Sequence, residues 1–283
     1  MRTASFAVLA AAAAALCICP ACLGPAIAQS PAAGGASGAS GPGSLLIWPI
    51  NPVIEGDAQA AALWLENPGR APITLQVRVY AWAQQDGRNV YAAQNDILGT
   101  PPILSVEPGQ RQLVRLTRLV PPPGVPEKPY RIVVDQIPTA PDVAAGAPQQ
   151  ASGAAIAFRM RYSLPLFSYA ADTGHAAKGR DKAATPPPPS HLGWRTGSDD
   201  KGRFLEIRND GPGHARLTDV AFSGKPGSRA GGKGSAKVAD GLFGYVLPGA
   251  TMRWPLPAGT EPTGDLVASL NGDPGARIER LPE

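Results

Sequence analysis

The sequence has no cysteine after position 22, since Cys17, Cys19 and Cys22 are its whole complement. Downstream of them it can form no disulfide, no thiolate metal site and no cysteine nucleophile. Histidine is equally scarce: His175, His191 and His214 sit in Gly- or Pro-flanked stretches, and no two have the i, i+4 spacing of a helical metal pair. All three are expected to be solvated loop residues. Basic and acidic residues are interspersed at a formal net charge of +4, and no stripe of Lys or Arg interleaved with aromatics offers a nucleic-acid face. Long windows free of proline and glycine are also missing, because 33 Gly and 32 Pro fall among 283 residues. That excludes a helix bundle and a doubly wound α/β enzyme. The 43% of hydrophobic residues still suffices for a core in each of two domains.

What is present begins with an export signal. Met1-Arg2 is a positive start, Phe6 to Leu16 is apolar and Ala-rich, and Ala26-Ile27-Ala28 is a small-x-small cleavage site. Residues 1–28 are therefore expected to be a signal peptide, and the cleaved chain is not expected to insert in a membrane. Residues 29–43 are small, polar and Gly-rich, a flexible leader. Order is expected from residue 44 to 170. There Ile73, Leu75, Val77 and Val79 alternate with Thr74, Gln76, Arg78 and Tyr80, the period of a strand. Further strands are expected over Ala60 to Glu66, Gln112 to Leu119 and Tyr130 to Ile137. Ile156, Phe158, Met160, Tyr162 and Leu164 then form one apolar stripe, preceded by the smaller Ala154. Residues 171–203, with four successive prolines at Pro186 to Pro189, read as a linker. Residues 204–283 read as a smaller β-domain of short strands with a Gly-rich hairpin from Gly224 to Gly234. The fold class is all-β.

Chemistry-bearing motifs fail on inspection. Gly227-Ser-Arg-Ala-Gly-Gly232-Lys233 begins like a phosphate-binding loop, but Gly234 stands where a Ser or Thr hydroxyl would hold Mg²⁺, and no helix follows. No Gly-x-Ser-x-Gly elbow occurs, and the carboxylates are scattered. No cofactor, metal site or catalytic residue is expected, and the protein is not expected to be an enzyme.

The segments Leu46-Ile-Trp-Pro-Ile-Asn-Pro-Val-Ile-Glu-Gly56, Leu65-Glu-Asn-Pro-Gly69, Pro108-Gly-Gln-Arg-Gln-Leu-Val-Arg-Leu116, Tyr130-Arg-Ile-Val-Val-Asp-Gln-Ile-Pro138 and Arg161-Tyr-Ser-Leu-Pro-Leu-Phe167 occur in that order. Together they resemble PapD-like periplasmic pilus (fimbrial) assembly chaperones, most of all the archaic, Csu-type branch. The resemblance covers about Leu45 to Ala170; the second domain carries no comparable motif. It implies two immunoglobulin-like β-sandwich domains at an angle with a cleft between them. It also implies a function: binding pilus subunits by donor-strand complementation in the periplasm and delivering them to an outer-membrane usher. Ala154, Ile156, Phe158 and Met160 would be the donated stripe, although the same stripe would line the protein's own core in any sandwich. In the family's usual pattern an Arg and a Lys anchor the subunit's terminal carboxylate; the matching positions here are Asn51 and Ser163. Arg131, Arg159 and Arg161 are the candidate substitutes. A sticky donor edge makes self-association reasonable. The rival reading is a secreted adhesive or structural module.

Overall fold

The computed structural model describes residues 45–138, 159–171, 190–227 and 234–282. Every regular element among them is a β-strand. The expected signal peptide and leader, the proline run, His175 and the tip of the Gly-rich loop lie outside the described residues.

The first sandwich contains β1 (Leu46–Trp48), β2 (Val53–Ile54), β3 (Ala60–Glu66), β4 (Ile73–Gln85), β5 (Arg88–Ala92), β6 (Ile97–Thr100), β7 (Ile103–Val106), β8 (Arg111–Arg118), β9 (Glu127–Ile137) and β10 (Arg161–Tyr169). One sheet runs β1-β3-β8-β6; the other runs β2-β10-β9-β4-β5, with β7 also on β4. The alternation read in the sequence sets which side chains meet between them. Ile73, Leu75 and Val77 of β4 and Tyr130, Ile132 and Val134 of β9 face Leu63, Leu65, Val114 and Leu116 from the opposite sheet in one core. Each such Leu, Ile or Val contributes about 1.5–3 kcal/mol by leaving water. Asp86 and Gly87 join β4 to β5 with positive φ values of 49° and 73°, the left-handed pair that a two-residue hairpin turn needs.

The second sandwich contains β11 (Leu192–Asp199), β12 (Gly202–Asn209), β13 (Ala215–Phe222), β14 (Ala236–Lys237), β15 (Leu242–Val246), β16 (Thr251–Pro255), β17 (Leu266–Leu270) and β18 (Asp273–Arg280). Its strands follow the order β14-β13-β17-β18-β11-β12-β16, with β15 on β13. The sheet folds back on itself through β18, so Trp194, Leu205, Ile207 and Met252 of one half meet Leu217, Phe222, Leu266 and Ala268 of the other.

β11 lies inside the stretch expected to be linker, so ordered structure resumes before residue 203. The strand escaped the periodicity reading because glycines stand where apolar side chains were sought. A Cβ at Gly193 would come within 2.3 Å of Leu281, and one at Gly197 within 2.4 Å of Phe204. The neighbouring strands fill those spaces instead.

One cross-strand row in this sheet makes an acid-sensitive contact. Glu206 of β12 lies opposite Arg195 of β11 on one side and Arg253 of β16 on the other, and accepts a hydrogen bond from each, at 2.5 and 2.6 Å. Burial opposes the carboxylate's charge, but the two guanidinium groups outweigh it and hold Glu206 below its ordinary value of 4.5. A lowered folded-state value stabilises the protein above the unfolded-state value and is lost as pH falls through the folded one. Glu206→Gln is therefore expected to lower stability at pH 7 and to flatten the loss of stability below pH 4.5. Urea denaturation at a series of pH values checks this; parallel curves for the two proteins would refute it.

Candidate functional site

The open edge of β10 is the starting point. β10 pairs with β9 along its whole length, from Arg161↔Asp135 to Tyr169↔Glu127. On its other side β2 pairs only with Phe167 and Ser168. Among the described residues, Arg161–Leu166 thus has no strand on that side, and its outward backbone groups are available for pairing.

The apolar stripe divides at this edge. Leu164 and Leu166 are buried in the sandwich core and Tyr162 packs against it. Met160, the next residue on that face, is 41% exposed. The stripe therefore leaves the protein's own core between Tyr162 and Met160. Ala154, Ile156 and Phe158 lie outside the described residues.

The outer face of the β4-β9-β10 sheet carries the basic residues. Moving outward from the second sandwich, cross-strand rows place Pro165, Arg131 and Tyr80 together, then Ser163, Val133 and Arg78, then Arg161, Asp135 and Gln76. Arg131 donates from Nε to Ser163 Oγ at 2.7 Å and from a terminal nitrogen to Ser163 O at 3.3 Å. Its guanidinium lies over the Trp82 ring, 4.9 Å from the centroid, and it forms no ion pair among the described residues. Arg161 differs, because it shares Asp135 with Arg78. Burial raises the Asp135 carboxylate, yet its hydrogen bonds from Arg161 and Arg78 prevail and hold it below the usual range. Arg159 joins these residues and Gln76, Gln136 and Met160 around a groove of about 510 Å³. Asn51 is exposed, one residue before Pro52, whose carbonyl accepts the Phe167 N–H.

The inner end of this face rests on the second sandwich. Trp82, Phe167 and Tyr169 pack with Leu247 and Ala250, and Tyr245 meets Trp82 edge-on at 5.5 Å. Gln84 donates to Tyr245 O and accepts from Leu247 N–H, both at 2.8 Å. Burial raises the hydroxyls of Tyr169 and Tyr245 above the ordinary tyrosine value, and for Tyr169 the charges of Glu127 and Glu55 add to it.

The expectation for His214 needs correction. Its side chain is 9% exposed and pairs through Nδ1 with Glu127, a fully buried carboxylate, at 2.7 Å. The ring stacks on Phe167 with centroids 3.7 Å apart. The flanking glycines suggested solvent, but a partner 87 residues away encloses the ring. His191 is exposed, as expected. Glu127, Trp82 and Gln84 went unnoticed in the sequence. Only Trp82 left a signal there, as a large aromatic on the otherwise polar face of β4.

Residues 51–169 match the family described as pili and flagellar-assembly chaperone, PapD N-terminal domain. The match spans the first sandwich from β2 through β10. The PapD-like resemblance extends beyond it. A chain in the crystal structure of the CsuC–CsuE chaperone–tip adhesion subunit pre-assembly complex, from archaic chaperone-usher Csu pili of Acinetobacter baumannii, matches with a TM-score of 0.62 and 27% identity over 85% of this chain and 100% of that one. The Salmonella enterica SafA pilin complex with the SafB chaperone matches at 0.53 and 19%, over 83% and 93%. The E. coli chaperone DraB matches at 0.50 and 18%, over 83% and 95%. The last two show the shared fold. Comparison with curated protein sequences gives no match.

Proposed function

We propose that this chain is a periplasmic chaperone that lends a strand to pilus subunits and passes them to an outer-membrane usher. Residues 1–28 direct export and are removed, residues 29–43 are a leader, and two sandwiches do the work without a cofactor. The observation that carries this reading is the apolar stripe that leaves the core at Met160 beside the Arg161–Leu166 edge of β10, which has no strand partner among the described residues. A subunit lacking one strand exposes an apolar groove and an open edge, and this arrangement supplies both complements. Ala154, Ile156, Phe158 and Met160 would fill the groove, while Arg131 would receive the subunit's terminal carboxylate. Arg131 suits that task because Ser163 and Trp82 hold its guanidinium in place without neutralising it.

The test is periplasmic co-expression with the β-sandwich subunits encoded in the neighbouring locus, followed by pull-down. Wild type is expected to capture one subunit per chaperone. Phe158→Glu is expected to lose capture, and Arg131→Ala to weaken it about tenfold, in line with a charge-assisted hydrogen bond. Folded Phe158→Glu that still captures the subunit would exclude strand donation, and a wild type that captures none would favour an adhesive module.

A further inference from the structure

We infer that the groove beyond the β10 edge receives an acidic side chain of the subunit, separately from the terminal carboxylate at Arg131. This rests on the chaperone reading above. Asp135 and Arg131 lie four residues apart along β9, which separates their rows by about 13 Å. One carboxylate cannot touch both places. The outer place also carries more positive charge than it uses. Arg78, Arg159 and Arg161 surround the single carboxylate of Asp135, and Arg159 forms no ion pair among the described residues. The Arg78 Nε is buried with no hydrogen-bond partner. Arg161 is 68% exposed and lies on the unpartnered edge itself, so it can turn to a new partner while Arg78 keeps Asp135.

The occupant follows from this geometry. A subunit strand running along Arg161–Leu166 with its terminal carboxylate at Arg131 brings its residue about four positions before the C-terminus beside Arg161, at about 3.3 Å per residue. An Asp or Glu there would meet two guanidinium groups, with Ile137 available to its methylenes. The groove thus contributes register: the terminal carboxylate fixes one end of the paired strand, and the acidic side chain fixes a second point along it.

The experiment uses the full chain and the co-expressed subunit captured by wild type, with complex dissociation followed at about 50 and 500 mM NaCl, on either side of strong charge screening. Arg159→Gln with Arg161→Gln is expected to weaken the complex about five- to tenfold at low salt and to reduce its salt dependence. Arg115→Gln, which removes one exposed positive charge from the opposite sheet, is expected to leave both unchanged. If wild type captures the subunit and the double variant matches it at both salts, the acidic contact is wrong and the chaperone reading stands. An effect from Arg115→Gln about half that of the double variant on a logarithmic scale, or larger, would reduce it to net charge and overturn it. If wild type captures no subunit, both readings fall.

Discussion

His214→Ala is expected to destabilise the folded protein by about 1–3 kcal/mol, the usual cost of taking a hydrogen-bond partner from a buried polar group. Glu127 is fully buried, and its carboxylate is held by the His214 ring at 2.7 Å and by the His214 backbone N–H at 3.2 and 3.4 Å. The backbone contacts survive the substitution, but the ring, its Nδ1 contact and its stack on Phe167 are lost. Because Glu127 belongs to the first sandwich and His214 to the second, the loss falls on the seam between them. Glu127→Gln combined with His214→Asn removes the charge and leaves two amides able to bond. That pair is expected to be more stable than His214→Ala, whose buried carboxylate keeps only the residue 214 backbone N–H and the Tyr169 hydroxyl. Urea denaturation of the three proteins decides the matter. A His214→Ala loss below about 1 kcal/mol, the level of an exposed ion pair, would show the pair to be incidental.

Asn67→Ala is expected to cost about 2–4 kcal/mol. The side chain is fully buried at the end of β3; its Nδ2 donates to Ala71 O at 2.8 Å and Val106 O at 2.9 Å, and its Oδ1 accepts from Gly69 N–H at 2.9 Å. Three net hydrogen bonds of about 0.5–1.5 kcal/mol each give the figure. Its backbone is tied too, donating to Gln110 O and accepting from Gly109 N–H. The second sandwich repeats the arrangement. Asn209, at the end of β12, donates to Gly213 O and Val246 O, accepts from Gly211 N–H, and exchanges backbone bonds with Gly249 and Ala250. Asn209→Ala should therefore cost a similar amount. Asn67→Asp is the sharper variant, because it keeps the acceptor, loses both donors and sets a carboxylate against two carbonyls. A stability of Asn67→Asp close to wild type would refute this account.

How far the sequence speaks for itself depends on how local the cause is. The strand over Ile73 to Trp82 was legible because alternation is written in consecutive residues. β5 was not legible because all five residues are exposed and none alternates into a core. β11 hid behind two glycines whose spaces are filled by Leu281 and Phe204. At the candidate site, Arg131 could be named from its strand, whereas its bonds to Ser163 and its place over Trp82 depend on three strands meeting in register. The Glu127–His214 pair spans 87 residues and left no local trace.

The position of Trp82 makes the molecule its own optical probe. Its indole N–H donates to Asn89 at 2.9 Å, its ring meets Phe167 and Tyr245, and the Arg131 guanidinium lies over its face. An anion arriving at Arg131 alters the electric field across the indole, and a loosening of the seam lets water reach it. Both events shift the emission of this one chromophore, and Trp82→Phe separates its signal from that of the other tryptophans. Occupancy of the face and docking of the two sandwiches can thus be followed in real time on the unlabelled protein.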